Sequence, residues 1–218
     1  GKFFTIRSTI QITGQDHSLQ QLPLVFDYFT QVQQHFYFIE NRQILTLFKL
    51  FHTTADHLKV HQSKFEDFKR DFLMIMEEVV DVNYLHIPKA SSKQIKEQQF
   101  YSDTEAIIYL EESGDYINLI PTMRYADVEV PVRSRRSIFG FDKKGKKFLV
   151  KRDLEAELQI VSLIIKQHPY FEEQLDEDFQ HFYLHRKHFL ELDWFLNVFE
   201  EWRKHHISII GFNEIKAN

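Results

Sequence analysis

Cysteine is absent from this 218-residue chain, which excludes disulfides and thiolate metal sites and fits a reducing compartment such as the cytosol. Long apolar runs are also missing. Charged residues interrupt every hydrophobic segment, so no stretch reaches the length of a bilayer span. The first residues, Gly-Lys-Phe-Phe-Thr-Ile-Arg, have no apolar core of the signal-peptide kind and lead straight into a strand pattern. Both ends read as cuts, so a fragment of a longer protein is expected. No Gly-x-Ser-x-Gly and no Cys-His arrangement occurs, which leaves no nucleophile to argue for.

Present instead are 43% hydrophobic residues, enough for a substantial core, and 22 Phe that must be buried or used as contact surface. The net charge of −5 conceals an asymmetry. Between Arg124 and Arg152 stand ten Lys or Arg against Asp127, Glu129 and Asp142, a local excess of +7 that leaves −12 elsewhere. The whole chain is therefore not drawn to nucleic acid, but this patch could be.

Periodicity predicts an α+β protein of two lobes, each a small, mostly antiparallel sheet with packed helices. The lobes are expected at 1–88 and 94–218, split at the linker-like Lys89–Lys93. In the first, strands are expected at Ile6–Thr13, Leu24–Tyr28, His35–Ile39, Leu58–His61 and Val82–Ile87. A helix over Arg42–His52 should bury Ile44, Leu45, Phe48 and Phe51. A second should open at a Ser63/Glu66 capping box and present Phe65, Phe68, Phe72, Leu73, Ile75 and Met76.

In the second lobe, Glu105–Glu111 and Tyr116–Thr122 should pair across a turn at Ser113-Gly114. A strand over Tyr125–Val130, a basic connection over Pro131–Ser137 and a hairpin over Ile138–Lys151 turning at Gly145 should follow. Asp153 should cap a helix with Leu154, Leu158, Val161 and Ile165 inward, closed by Pro169. Helices over Asp176–Leu190 and Asp193–His205 and a strand over Ile207–Phe212 complete the reading. The last helix should carry a stripe of Trp194, Phe195, Val198, Phe199 and Trp202.

Gly140-Phe141-Asp142-Lys143-Lys144-Gly145-Lys146-Lys147 satisfies Gly-x-x-x-x-Gly-Lys of a phosphate loop but has Lys147 where a Ser or Thr must hold Mg²⁺. The strand-like Phe148-Leu149-Val150 follows where a helix should open. A hairpin turn is the better reading. His181, His185 and His188 fall at i, i+4 and i+7 on a helical face and could in principle bind zinc, but Phe182 stands where His-Glu-x-x-His needs Glu. A His-rich, partly exposed helix accounts for them. The pairs Glu77-Glu78, Glu111-Glu112, Glu172-Glu173 and Glu200-Glu201 are sequence neighbours, which do not face one another on a helix, and are solvated faces. The candidate nucleic-acid contacts are Arg133, Arg135, Arg136, Lys143, Lys144, Lys146 and Lys147. They interleave with Phe139, Phe141 and Phe148, and pairing cations with aromatic faces suits phosphates and exposed bases.

Arg152-Asp153-Leu154-Glu155-Ala156-Glu157, with Phe148-Leu149-Val150 before it and Leu158 to Ile165 after, resembles the accessory region ahead of the ATPase core in bacterial Swi/Snf-family helicases. Phe182-Tyr183-Leu184-His185-Arg186-Lys187-His188-Phe189-Leu190, Asp193-Trp194-Phe195-Leu196, Phe199-Glu200-Glu201-Trp202-Arg203 and Ile209-Ile210-Gly211-Phe212-Asn213-Glu214 are similar to the Bacteroidetes branch of that family. The likeness covers about Phe148–Asn218. It implies a non-catalytic, cytoplasmic accessory domain that contacts duplex DNA or its own ATPase core in cis. ATP and Mg²⁺ are expected only in a core downstream, and no cofactor or metal in these residues. The alternative is a protein-interaction module that uses exposed aromatic surface and no nucleic acid.

Overall fold

Short strands and tight turns dominate the start of the chain. The computed structural model describes residues 2–53, 58–177 and 179–215 and divides into two compact units, Gly1–Val82 and Asn83–Asn218. In the first unit, β1 (Phe3–Ile6) and β2 (Thr9–Ile12) replace the single strand expected at Ile6–Thr13. The chain breaks between them so that β2 can fold back on β3 (Gln15–Ser18) over Thr13-Gly14, both at positive φ. β4 (Leu24–Val25), β5 (Phe29–Val32) and β6 (His35–Phe38) form a small antiparallel meander. Its first turn places Phe26 and Asp27 in the left-handed region, which is why the expected strand over Leu24–Tyr28 stops early.

Helix α1 (Arg42–His52) forms as predicted, because the Asn41 side chain accepts from the amides of Gln43 and Ile44 and satisfies two of the helix's open donors. Leu45, Leu47, Phe48 and Phe51 are buried with Ile12, Leu19, Leu22, Ile39 and Met76, and Ile44 packs at the margin of that core. β7 (Leu58–His61) pairs antiparallel with β1. The expected capping box at Ser63 and Glu66 does not form. His61 Nδ1 accepts from the Ser63 amide instead, and a 3₁₀ turn at Gln62–Lys64 leads into α2 (Phe65–Phe68). A π-helical turn at Lys69–Leu73 joins α2 to α3 (Met74–Met76). That wider turn shifts the phase of the apolar face, leaving Phe65, Leu73 and Met76 buried while Ile75 is exposed. Residues 82–87 form no strand.

The stretch that reads as a linker, Lys89–Lys93, lies inside the second unit, which begins at Asn83. There the amide of Ala90 donates to Leu149 O, and Leu149 N donates to Pro88 O, so the segment is tied into the unit by backbone bonds. Ser91 and Gln94 form a complete capping box on α4 (Ser92–Glu97). β8 (Thr104–Ser113) and β9 (Tyr116–Tyr125) make a long hairpin over Gly114-Asp115, one residue later than predicted. β10 (Val128–Pro131) returns along β9 after a turn at Ala126, φ 54°. The expected strand over Tyr125–Val130 is therefore split by a turn containing no glycine.

The hairpin β11 (Ile138–Phe141) and β12 (Lys147–Val150) stands as predicted, followed by α5 (Leu154–Ile165) with Asp153 as its N-cap. Pro169 opens α6 (Pro169–Glu173) at its first turn, where a missing N–H costs nothing. The helix expected over Asp176–Leu190 is instead β13 (Phe182–His185) and the short α7 (Arg186–Phe189). Phe182 and Leu184 are buried while Tyr183 and His185 face outward, a period of two that a strand satisfies and a helix cannot. α8 (Leu192–Lys204) and β14 (Ile207–Ile210) follow, and a 3₁₀ turn at Phe212–Glu214 comes last.

The main sheet runs β10-β9-β8-β14, with β14 parallel to β8, and β13 joins β9 beside β10. β13 covers the Tyr116–Leu119 half of β9 and β10 the Thr122–Tyr125 half. Pro121, whose ring removes a ladder donor, lies between the two runs, where neither needs it. Ile108, Leu110, Ile117, Leu119, Met123 and Tyr125 lie in one buried core with Ile160, Ile164, Val198, Phe199 and Trp202 from the helices. Trp194 and Phe195 pack on it as the predicted α8 stripe requires. On α5 the buried positions are Glu157, Ile160 and Ile164, while Leu154 and Leu158 are exposed. Val161 and Ile165 pack against the core as predicted, so only the first half of the expected face is displaced, where the Glu157 carboxylate is buried instead. No helix among the described residues is long and apolar enough to cross a membrane.

Candidate nucleic-acid interface

The local +7 of the sequence resolves into two populations of cations. Arg124, Arg133 and Arg152 are bound within the fold. Arg152 sits against Glu157 through Nε to Oε1 at 2.9 Å and Nη2 to Oε2 at 2.8 Å, with side chains 11% and 3% exposed. Its remaining donors reach the carbonyls of Pro131 at 3.1 Å, Val132 at 2.9 Å and Ser134. Tyr125 donates to Glu157 Oε1 at 2.6 Å and accepts from the Asp153 amide at 2.9 Å. Burial, and then the hydrogen bond to Glu157, pushes the Tyr125 phenol well above its ordinary range. Arg152 thus binds the basic connection to the start of α5. Arg124 lies between Glu105 and Glu129.

Arg133 is committed too. Its guanidinium donates to the carbonyls of Gln174 at 2.8 Å, Glu177 at 2.7 Å, Leu175 at 3.3 Å and His181 at 3.1 Å, over the Phe182 ring at 4.6 Å. A guanidinium spent on four carbonyls is a stitch rather than a reader of phosphates. Arg135 is exposed. The Arg136 carbonyl accepts from Arg152 at 3.4 Å, and its amide donates to Ser134 Oγ at 3.3 Å.

The hairpin tip carries the rest. Asp142 Oδ1 accepts from the amides of Lys144 and Lys146, both at 2.9 Å, and Gly145 closes the turn at φ 72°. The amides that a phosphate loop would aim at an anion are thus occupied by the turn's own carboxylate, and β12 follows where a helix would be needed. Lys143, Lys144 and Lys146 are exposed, and among the described residues no ion pair engages them. Lys147 lies over the Phe139 and Phe141 rings at 5.6 and 5.5 Å, and Phe141 is 55% exposed. Below the tip, Gly140 lets the strand close on the core, since a Cβ there would fall 2.4 Å from the Phe148 ring. The tip is a hydrogen-bonded turn with three exposed lysines beside an exposed aromatic ring.

The three histidines do not share a helix. His181 precedes β13, and burial first, then the Arg133 charge, lowers its pKa. His185 and His188 have ring centroids 6.4 Å apart, and among the described residues no group of three or more His, Asp or Glu is placed to hold a metal ion.

A second feature escaped the sequence reading. Tyr116, Tyr170, Tyr183, His185 and His188 line an open cleft of about 310 Å³ together with Glu173, Gln174 and Glu177. Register builds one wall: pairing of β13 with β9 sets His185 opposite Tyr116, and α6 and α7 supply Tyr170 and His188. Spacing in the sequence carries no trace of that contact. In comparisons with protein-family models, curated proteins and solved structures, the chain matches none.

Proposed function

We propose that this chain is a non-catalytic accessory domain of a cytoplasmic, DNA-dependent Swi/Snf-family ATPase, one that touches duplex DNA through the β11–β12 hairpin and meets its own ATPase core in cis. The observation that carries the DNA contact is the tip: Lys143, Lys144 and Lys146 point outward from one turn whose single acid is turned onto the backbone. Ammonium groups so placed neutralise phosphates and release counterions without reading sequence. The resemblance over Phe148–Asn218 supplies the ATPase context, with ATP and Mg²⁺ held by the core. Arg135, Arg136 and Lys147 extend the patch from the connection and the strand, while Arg133 contributes by holding the scaffold.

The test is fluorescence anisotropy with a labelled duplex across a salt series, alongside ATP hydrolysis with and without DNA. Reversing Lys143, Lys144 and Lys146 to Glu should weaken binding at low salt and flatten the salt dependence by about three units of log–log slope. No hydrolysis is expected from these residues. Unchanged affinity and slope in the triple variant would remove the hairpin from the reading, and turnover by the chain would end it.

The second reading, a protein-interaction module without nucleic-acid contact, draws on exposed aromatics of the first unit. Phe36 and Phe38 alternate along β6 at 56% and 58% exposure, and Phe26 is 82% exposed. Apolar groups left in water on one small sheet are what a partner surface provides for. Salt-insensitive binding to a protein partner, lost in a Phe36→Ser/Phe38→Ser variant with no duplex binding at any salt, would favour it.

A further inference from the structure

We infer that the cleft between β13, α6 and α7 is an aromatic cage for a methylated ammonium head group, of the kind carried by choline or by a trimethylated lysine side chain. It shares no residue with the basic hairpin and stands apart from the DNA reading.

The walls are rings set nearly at right angles to their neighbours. Tyr183 meets Tyr116 at 5.7 Å and 88°, Tyr116 meets His185 at 5.3 Å and 78°, and His188 meets Tyr170 at 5.8 Å and 70°. His185 and His188 complete the circuit at 6.4 Å and 71°. These rings line the cleft from several sides, and a ring face attracts a cation through its quadrupole.

Charge agrees. No Lys or Arg lines the cleft, whereas Glu173 and Glu177 do. Glu177 Oε1 accepts from the Tyr183 hydroxyl at 3.1 Å, while Oε2 is buried with no hydrogen-bond partner among the described residues. Two carboxylates at the wall favour a cation in the cleft by charge alone, with no hydrogen bond required of it. The hydrogen bond to Glu177 also raises the Tyr183 pKa, so the phenol stays neutral.

The walls are held in advance. The buried Gln174 side chain donates to Tyr183 O and accepts from Tyr183 N, both at 2.8 Å, fixing the outer edge of β13. Burial, with the neighbouring His188 second, lowers the pKa of His168, whose ring lies behind Tyr170 and His188 at 4.8 and 5.7 Å. A primary ammonium would lose water that ring faces cannot replace. A methylated one has fewer or no N–H groups to satisfy, which sets the preference.

The test titrates the full 218-residue chain with choline, a trimethyllysine peptide, the same peptide unmodified, and the neutral isostere 3,3-dimethyl-1-butanol, followed by NMR and calorimetry. Choline and the methylated peptide should bind saturably and shift the amide signals of Tyr116, Tyr183 and His185. The unmodified peptide and the isostere should bind about tenfold or more weakly, as expected for a cation–π preference of ~1.4 kcal/mol. Tighter binding of the methylated peptide than of choline would assign the site to protein tails, and the reverse to small molecules; either supports the cage. Tyr116→Ala should reduce binding at least about fivefold. Glu177→Gln, which keeps an acceptor for Tyr183, should weaken both cations and leave the isostere unchanged. Equal affinity for choline and the isostere, wild-type binding by Glu177→Gln, or no saturation by any methylated probe would overturn the inference.

Discussion

Glu157 is pulled into the core by Arg152, and the two side chains meet at two points, 2.9 and 2.8 Å, with almost no solvent contact. This pair explains why α5 buries a carboxylate while leaving two leucines outside. It also ties together the two ends of the segment Arg152-Asp153-Leu154-Glu155-Ala156-Glu157. Two charges removed from water are costly, and the loss is offset here because Tyr125 and the carbonyls of the basic connection satisfy what remains.

Arg152→Ala should therefore destabilise the second unit by about 3–5 kcal/mol, since Glu157 would be left buried and unpaired. Both tryptophans, Trp194 and Trp202, lie in that unit, so their fluorescence in a urea titration reports on it. The double variant Arg152→Met/Glu157→Leu should recover much of the loss. An unshifted midpoint for Arg152→Ala would show that the pair does not hold the unit together.

Alkali gives an independent probe. The Tyr125 phenol has a folded pKa above its unfolded value of 10.0, so the folded state keeps its proton where the unfolded state releases one. Its contribution is fully present below about pH 10 and is lost as pH rises beyond it, by up to about 1.4 kcal/mol per pH unit. Tyr101, Tyr109 and Tyr183 are shifted in the same direction, so the slope belongs to several groups. Tyr125→Phe should remove one group's share, seen as a shallower fall in urea midpoint between pH 10 and about 12.

Gly140→Ala tests the close approach beneath the hairpin tip. The added methyl would overlap the Phe148 ring and lie 2.9 Å from Phe100, and neither ring has room to retreat from a buried site. A loss of about 1–3 kcal/mol in urea unfolding is expected, with part regained in Gly140→Ala/Phe148→Leu.

Asp142→Asn separates shape from charge at the tip. Asparagine can still accept from Lys144 and Lys146, so the turn persists while its one carboxylate disappears. Under the proposed function, duplex affinity should rise by about two- to fivefold at low salt, and the gain should fade as salt increases. Asp142→Ala, which loses both acceptors, should instead loosen the turn, visible as sharpened and shifted amide signals of Lys143 to Lys146.

The mixed fold was legible wherever local chemistry and tertiary demand agree. Asp153 caps a helix because its side chain suits an open amide, and Gly145 turns a hairpin because it tolerates positive φ. The reading failed where the structure overrides such signals. Ala126 and Phe26 take left-handed conformations without a residue that advertises them. Phe182-Tyr183-Leu184-His185 reads as helical when the histidine spacing is followed, and as a strand when its alternation is. Full burial of Phe182 and Leu184, two residues apart, decides for the strand. Seven cations looked alike in sequence, yet Arg133 is consumed by carbonyls 41 and 44 residues further along the chain. No local pattern encodes such a contact, and none encodes the ring cluster around Tyr116.

The change of partner along the margin of β9 near Pro121 has a dynamic consequence. Val132 N still donates to Pro121 O at 2.7 Å, and from the next residue the Arg133 guanidinium reaches the carbonyls of Gln174, Glu177 and His181 ahead of β13. β9 therefore carries two leaves along one margin, tied to each other by the Arg133 side chain. Arg133→Lys should accelerate deuterium uptake at the amides of Phe182 to His185 while leaving those of Val128 to Val130 slow. Without that stitch, the leaf bearing Tyr183 and His185 would breathe while the rest of the sheet stays closed around its helices.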